Sequence, residues 1–210
     1  MKRIADYRLY IFDWDGTLNS MSAAHRAYET VKRCLKFFKG GHRPKYSNIN
    51  MTDIKHIVKR EELKNRIFAS AIDFLVLMIK PKLHNDTIEM LEELRKKGKK
   101  IVILSNGSGI RQRKELGMLG ITGLFDMIVS AKDMGVIKPD PSGIRMVMRK
   151  IKTHAADTVY IGDTADDMLA ARLAKVSACA VCCGFHSRAR LKSMEPDYIF
   201  QSIEELYRNC

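Results

Sequence analysis

Hydrophobic residues are concentrated in short runs along the chain, and the segments between those runs have the spacing of amphipathic helices. Short apolar runs without alternation are typical of strands that are buried on both faces. The sequence predicts five such strands, over residues 9–12, 100–104, 125–129, 158–161 and 176–183. A sheet built from them needs a covering layer on each face.

Three of the intervening segments carry clear helix signals. Residues 86–97 have apolar side chains at helical spacing and end before Gly98. Residues 141–151 begin with a proline, as a first helical turn allows, and residues 164–175 begin with a threonine cap followed by acids. Strands that alternate with helices predict an α/β fold with a doubly wound parallel sheet.

Residues 19–81 interrupt the alternation, because they contain no strand-like run between flanking turn signals. A first helical pattern ends at a Gly-Gly pair, and two further helices are predicted at 52–59 and 61–79. We therefore predict a small helical insertion over 19–81. The α/β core would then be formed by 1–18 and 82–210.

Polar side chains follow the predicted strands at the edge where a parallel sheet binds ligands. They are Asp13 and Asp15 after the first strand, Ser105 and Asn106 after the second, Lys138 in the loop beyond the third, and Asp163 and Asp167 after the fourth. Neighbouring carboxylates repel each other unless a cation joins them, and hard oxygen ligands suit Mg²⁺. Hydroxyl, amide and ammonium groups bind phosphate. Together these groups predict phosphoryl transfer to an aspartate.

Four motifs in this order resemble those of the haloacid dehalogenase superfamily of phosphohydrolases. They are DWDGT at 13–17, ILSNG at 103–107, KPDP at 138–141 and IGDTADD at 161–167. The C-terminal stretch GFHSRARLKSMEPDYIFQSIEEL, at 184–206, is similar to the end of phosphoglycolate phosphatase-like members. The resemblance covers 1–18 and about 82–210, and it implies a helical cap at 19–81.

The resemblance implies that Asp13 is the nucleophile that becomes phosphorylated. Asp15 would act as general acid for the leaving oxygen and then as base for the hydrolytic water. Asp13, the backbone carbonyl of Asp15 and Asp163 would hold Mg²⁺. Dehalogenases of the superfamily lack an acid at the position of Asp15, so its presence favours phosphate transfer.

The remaining motif residues take supporting roles in the same resemblance. Ser105 and the backbone amide of Asn106 would bind the phosphate, and Lys138 would neutralise its charge and that of the nucleophile. Thr17 would orient Asp15. Asp167 would position Lys138 or a metal-bound water.

Composition adds expectations only about binding partners and cellular location. The excess of 37 Lys+Arg over 24 Asp+Glu gives a formal charge of +13, which fits a nucleic-acid partner, attraction to small anions or a solvated basic surface. The longest apolar run, 74–79, is far short of the ~20 residues of a membrane-spanning helix. The N-terminus has no signal-peptide hydrophobic region, so we expect a cytoplasmic protein. Nothing in the pattern indicates the oligomeric state.

Cys179, Cys182 and Cys183 suggest either a metal site or a buried strand. A structural zinc site needs four suitably spaced ligands, which the sequence does not offer, so we expect a strand in which cysteine acts as a small hydrophobe. Trp14 is expected to be a packing residue that points away from the two neighbouring acids.

Several functions remain open at this stage. The resemblance implies a small phosphorylated compound as substrate: phosphoglycolate, as the subgroup implies, or pyrophosphate, a nucleotide or a sugar phosphate. A phosphomutase, a pyrophosphatase and a nucleic-acid-end phosphatase use the same residues. A receiver-like signalling domain also phosphorylates an aspartate, but its acids follow different strands.

Overall fold

The computed structural model of this chain describes residues 2–20, 81–131 and 134–210. These residues belong to one compact unit, which comprises Met1–Met21 and Pro81–Cys210. The predicted helical insertion lies almost entirely outside the described residues, so it stays a prediction.

The centre of this unit is a six-stranded sheet in which every neighbouring pair of strands is parallel. Its strands are β1 Leu9–Phe12, β2 Lys100–Ser105, β3 Met127–Ser130, β4 Thr158–Gly162, β5 Ser177–Val181 and β6 Tyr198–Phe200. They lie side by side in the order β3-β2-β1-β4-β5-β6. The predicted α/β fold is confirmed, and the central position of β1 puts its carboxyl end between those of β2 and β4.

Helices cover both faces of the sheet. They are α1 Thr87–Lys96, α2 Gly109–Leu119, α3 Ser142–Ile151, α4 Ala165–Ala174, α5 Arg188–Lys192 and α6 Ile203–Tyr207. Side chains of β1 alternate between two buried clusters, with Tyr10 and Phe12 in one and Leu9 and Ile11 in the other. The first cluster includes residues of α1, α2 and α6, and the second includes residues of α3, α4 and α5. Three short 3-10 helices, Ile4–Asp6, Thr122–Leu124 and Ala155–Asp157, complete the described elements.

The C-terminal edge of the sheet differs from the prediction. The apolar run that was predicted to be one strand as far as Cys183 ends at Val181, and Cys182 and Cys183 lie in the following turn. The backbone of Cys182 donates to Phe200, at the end of β6. The strand prediction was therefore correct for Cys179, which is buried in β5, and wrong for the other two cysteines. β6 was not predicted, because it is only three residues long and half-buried.

The hydrophobic pattern gives little sign of helix α2, and its burial explains why. Gln112 and Glu115 are fully buried, whereas Ile110 is 72% exposed. Polar residues on the inner face and an apolar residue on the outer face reverse the pattern from which helices are predicted.

The chain segments on either side of the undescribed stretch run next to each other. The backbone of Ser20 donates to Lys82 at 2.7 Å, and that of His84 donates to Leu18 at 3.1 Å. Among the described residues, no helix combines the length and the apolar character that crossing a membrane requires.

Candidate active site

The polar residues predicted to form a site meet at the carboxyl edge of the sheet. Asp13 directly follows β1, Ser105 ends β2 and Asp163 directly follows β4. Lys138 reaches the same edge from the loop between β3 and α3, and Asp167 reaches it from the first turn of α4. All five side chains are buried.

Three carboxylates crowd together at this edge. Asp13, Asp163 and Asp167 each offer an oxygen, and these atoms lie within 4.8 Å of one another. Burial, reinforced by the charge of Asp167, raises the pKa of Asp13 to about 7 against the opposing effect of Lys138. Burial and the two neighbouring carboxylates also raise the pKa of Asp163 well above its ordinary value. The cluster therefore favours a bound cation.

Lys138 supplies one positive charge to this cluster. Its ammonium lies 2.8 Å from Asp13 Oδ1, in an ion pair without hydrogen-bond geometry, and donates to Asp167 Oδ1 at 2.6 Å. It also donates to the hydroxyl of Tyr160 at 2.9 Å. Burial opposes the charged form, but the two carboxylates outweigh it and raise the pKa of Lys138 well above its ordinary value. The lysine is therefore a fixed cation beside the predicted nucleophile.

Both oxygens of Asp167 are already engaged. Oδ1 accepts from Lys138. Oδ2 accepts from the backbone N–H of Thr164 at 2.9 Å and from its hydroxyl at 2.7 Å, and the Asp167 N–H donates back to that hydroxyl, which completes a capping box. The capping box fixes the carboxylate, and the carboxylate in turn holds the ammonium. Asp166, the adjacent acid in the same motif, is exposed.

Asp163 is held from two sides. The hydroxyl of Thr17 donates to its Oδ1 at 2.7 Å, and the backbone N–H of Phe185 donates to its Oδ2 at 2.7 Å. Gly16 has a φ of +89°, and a Cβ there would lie 2.5 Å from Asp163 Oδ2, so the close approach requires glycine. Thr17 was expected to orient Asp15. Its hydroxyl instead orients Asp163, because the turn after Asp15 directs it towards the end of β4.

Asp15 is paired with a residue that the sequence reasoning did not identify. The guanidinium of Arg111 binds both of its carboxylate oxygens, with 2.9 Å between Nη1 and Oδ1 and a second, shorter contact between Nη2 and Oδ2. Arg111 also donates to Glu115 at 3.1 Å. The indole N–H of Trp14 donates to the other oxygen of Glu115 at 2.6 Å. Trp14 is fully buried, as expected of a packing residue, and it is also a hydrogen-bond donor.

Ser105 and Asn106 form a loop against Lys138. The side chain of Asn106 donates to the backbone carbonyl of Lys138 at 3.2 Å and accepts from its backbone N–H at 2.8 Å. The hydroxyl of Ser105 accepts from the backbone N–H of Gly107 at 3.2 Å. The predicted phosphate-binding loop and the lysine loop are thus joined by a pair of hydrogen bonds.

The donor set fits a divalent metal ion. Asp13 and Asp163 present carboxylate oxygens, and the carbonyl of Asp15 belongs to the same loop as Asp13. When ionised, the three clustered carboxylates carry three negative charges and Lys138 balances one, which leaves the charge that a divalent cation would neutralise. Oxygen ligands of this kind are those that Mg²⁺ prefers. Asp167 Oδ1 accepts from the Lys138 ammonium and its Oδ2 belongs to the capping box, whereas the described donors to Asp163 are uncharged, so Asp167 is better placed to hold Lys138 than to hold a metal ion.

The chain is similar to known proteins in sequence and in fold. The sequence model of the family described as haloacid dehalogenase-like hydrolase matches residues 10–181. A pyrophosphatase, PpaX of Oceanobacillus iheyensis, is 30% identical over 118 residues, which are 56% of this chain and 55% of that protein. A phosphoglycolate phosphatase of Colwellia psychrerythraea is 28% identical over 130 residues, or 62% of this chain and 58% of that one. The chain thus spans little more than half the length of these curated relatives.

Among solved structures, one described as a haloacid dehalogenase-like hydrolase of Bacteroides fragilis is similar over nearly the whole chain. The TM-score is 0.67 at 25% sequence identity, and the match covers 95% of this chain and 99% of that one. Similarity in sequence and similarity in fold therefore relate the chain to the same group of proteins.

Proposed function

The chain belongs to the haloacid dehalogenase-like hydrolase family, and we propose that it is a magnesium-dependent phosphomonoesterase that works through an aspartyl phosphate on Asp13. The observation that carries the proposal is the ion pair between Lys138 and Asp13, which lies within a cluster of buried carboxylates. A second acid, Asp15, follows two residues later. A buried nucleophile, a fixed cation and a separate acid are the parts that this chemistry needs.

In the first step, a carboxylate oxygen of Asp13 forms a bond to phosphorus while the bond from phosphorus to the leaving oxygen breaks. Asp15 gives its proton to that oxygen, so that an alcohol and not an alkoxide departs. Lys138 stabilises the negative charge on the phosphoryl oxygens from its fixed position. Ser105 and the backbone amide of Asn106 orient the phosphoryl group.

In the second step, Asp15 takes a proton from water as the water oxygen bonds to phosphorus. The bond between phosphorus and Asp13 breaks, and the carboxylate is restored. Asp13, Asp163 and the carbonyl of Asp15 would hold Mg²⁺, which would supply charge neutralisation to the phosphoryl group. Thr17 and the backbone N–H of Phe185 keep Asp163 in place for that purpose.

We propose a small phosphorylated compound as the substrate. Phosphoglycolate and pyrophosphate are the first candidates, because relatives with 28% and 30% identity are named for these activities. A phosphomutase would use the same aspartyl phosphate but pass it to a sugar hydroxyl. A nucleic-acid-end phosphatase remains an alternative on the strength of the +13 charge.

The test is phosphate release from a panel that contains phosphoglycolate, pyrophosphate, a nucleotide, sugar phosphates and a 5′-phosphorylated oligonucleotide, with and without Mg²⁺. We expect turnover of one class that requires Mg²⁺ and is abolished in Asp13→Asn. Asp166→Asn is the matched control, because it makes the same change at an exposed acid of the same site region. Turnover that survives in Asp13→Asn would contradict the proposed nucleophile.

A further inference from the structure

Four side chains, one of them the proposed acid Asp15, link the loop after β1 to helix α2, and their described contacts are not needed to explain the metal or phosphate sites. We call them the Arg111 relay: Trp14, Asp15, Arg111 and Glu115. Trp14 and Asp15 are consecutive in the loop after β1. Arg111 and Glu115 are one helical turn apart and therefore lie on the same face of α2. That face contacts Trp14 and Asp15.

The described contacts of the relay form a ring. Arg111 binds both carboxylate oxygens of Asp15 and one oxygen of Glu115, and Trp14 donates to the other oxygen of Glu115. The side chains of Asp15, Arg111 and Glu115 are only 15%, 12% and 0% exposed. Charged side chains this buried are retained in a fold when they are paired. The ring therefore fixes Asp15 through the backbone on one side and through Arg111 on the other.

Gly107 shows that the relay touches the phosphate-binding loop. A Cβ on this residue would lie 2.8 Å from Arg111 Nη2 and 3.1 Å from Asp15 Oδ2. Gly107 follows Ser105 and Asn106 directly, and Ser105 Oγ accepts from its backbone N–H. The arginine–carboxylate pair is thus packed against the loop that would hold the phosphoryl group, where the orientation of an acid affects proton transfer.

We propose that Arg111 is a positioning residue for the reaction, and that it fixes the direction in which the carboxyl group of Asp15 faces the leaving oxygen. This inference rests on the proposed function. A guanidinium has a planar fork that matches a carboxylate at two points and so fixes its plane, which a single ammonium does not. Glu115 holds the opposite side of the fork, and Trp14 holds Glu115. Arg111 acts through Asp15 and is not itself assigned a bond to the substrate.

The experiment measures release of the leaving group in a single turnover, with enzyme in excess, for phosphate esters of increasing leaving-group pKa. Release of the leaving group in a single turnover reports only the first step. An aryl leaving group needs little protonation in that step, whereas an alkyl leaving group needs a well-placed acid. In Arg111→Ala we expect a loss of about 10²-fold on the alkyl ester, within the range of general acid catalysis, and of less than about 10-fold on the aryl ester. Arg111→Lys should recover part of the rate on the alkyl ester.

Two further variants separate positioning from a structural role. Arg113→Ala, an exposed arginine on the same helix, is the matched control and should match the wild type. Arg111→Ala combined with Asp15→Asn should be no slower on the alkyl ester than Asp15→Asn alone, since the arginine acts through that carboxylate. Circular dichroism of each variant, together with the lysine variant, keeps the test valid if alanine disturbs folding.

Equal losses on both esters, additive losses in the double variant, or an unchanged maximal single-turnover rate that is reached only at higher enzyme concentration would overturn the inference. The first two would make Arg111 structural, and the third would make it a substrate-binding residue. Failure of the wild type to release any leaving group would contradict the proposed function itself. The two failures are therefore distinguishable.

Discussion

Replacing Lys138 with methionine removes the fixed cation from the carboxylate cluster while keeping most of the side-chain volume. Its ammonium lies 2.8 Å from Asp13 and 2.6 Å from Asp167, and the three side chains are 5%, 7% and 0% exposed. Removal of one partner from a buried ion pair costs about 3–5 kcal/mol, because the remaining charge is left without compensation. That is a large fraction of the roughly 5–15 kcal/mol by which a domain is stable.

The free energy of unfolding can be measured with urea and followed by the fluorescence of Trp14. This is the only tryptophan, and it is fully buried in the loop that follows β1. Metal-free buffer at pH 8 is used because it lies above the pKa of about 7 that Asp13 has beside Lys138 in the wild type. Lys100→Met is the matched control, because Lys100 also pairs with an acid at 2.9 Å but is 53% exposed. We expect it to cost less than about 1 kcal/mol.

A double variant tests the cause of the loss. Adding Asp167→Asn to Lys138→Met removes one of the two uncompensated charges and should restore at least about 1 kcal/mol, the usual size of coupling between contacting residues. Phosphate release by Lys138→Met should fall about 10²–10³-fold, as expected when a preorganised charge is lost. A stability within about 1 kcal/mol of the wild type, together with no gain in the double variant, would refute the reasoning.

Three further predictions concern the metal site. The folded-state pKa of Asp13 is raised from 3.8 to about 7, so its contribution to stability is present below pH 3.8 and is lost as pH rises through 7. The thermal midpoint of the metal-free protein should therefore fall between these two pH values, and it should fall less in Asp13→Asn. Magnesium should therefore raise the midpoint more at pH 8 than at pH 5, and an equal rise would contradict this. The Cβ added in Gly184→Ala would overlap Asp163 Oδ2, so this variant should lower both stability and Mg²⁺ affinity. The control is Gly117→Ala in helix α2, where no atom lies within 4 Å of the added Cβ; it should leave Mg²⁺ affinity unchanged and add at most about 1 kcal/mol of stability. Thr17→Val removes the hydrogen bond to Asp163 and should weaken Mg²⁺ binding about 10–100-fold by calorimetry, and unchanged affinity would rule out that supporting role.

The sheet was predictable from the sequence because its strands are continuous apolar runs, and because parallel strands place their carboxyl ends along one edge. Asp13, Ser105 and Asp163 could be assigned to a common site on that ground alone. β6 could not be predicted, since a three-residue, half-buried edge strand has too little pattern to distinguish it from a loop.

The contacts that orient the site were less accessible to sequence reasoning. Arg111 and Asp15 are 96 residues apart, and no periodicity connects them. One local signal did exist: Arg111 and Glu115 form an oppositely charged pair four residues apart, which favours a helix. On an ordinary helix such a pair faces solvent, whereas here it faces the loop after β1. The assignment of Thr17 to Asp15 came from the resemblance, and the sequence does not show that the tight turn directs its hydroxyl to Asp163 instead.

The most direct measurement is detection of the phosphorylated enzyme. Wild type, Asp13→Asn and Asp15→Asn would each be mixed with Mg²⁺ and a turned-over substrate, quenched rapidly in acid, digested and analysed by mass spectrometry. We predict one phosphoryl group on Asp13 in the wild type and none in Asp13→Asn. With an aryl ester, whose departure needs little protonation, we predict a larger amount in Asp15→Asn, because the base for the second step is missing. A phosphoryl group on another residue, or turnover by Asp13→Asn, would contradict an aspartyl phosphate on Asp13.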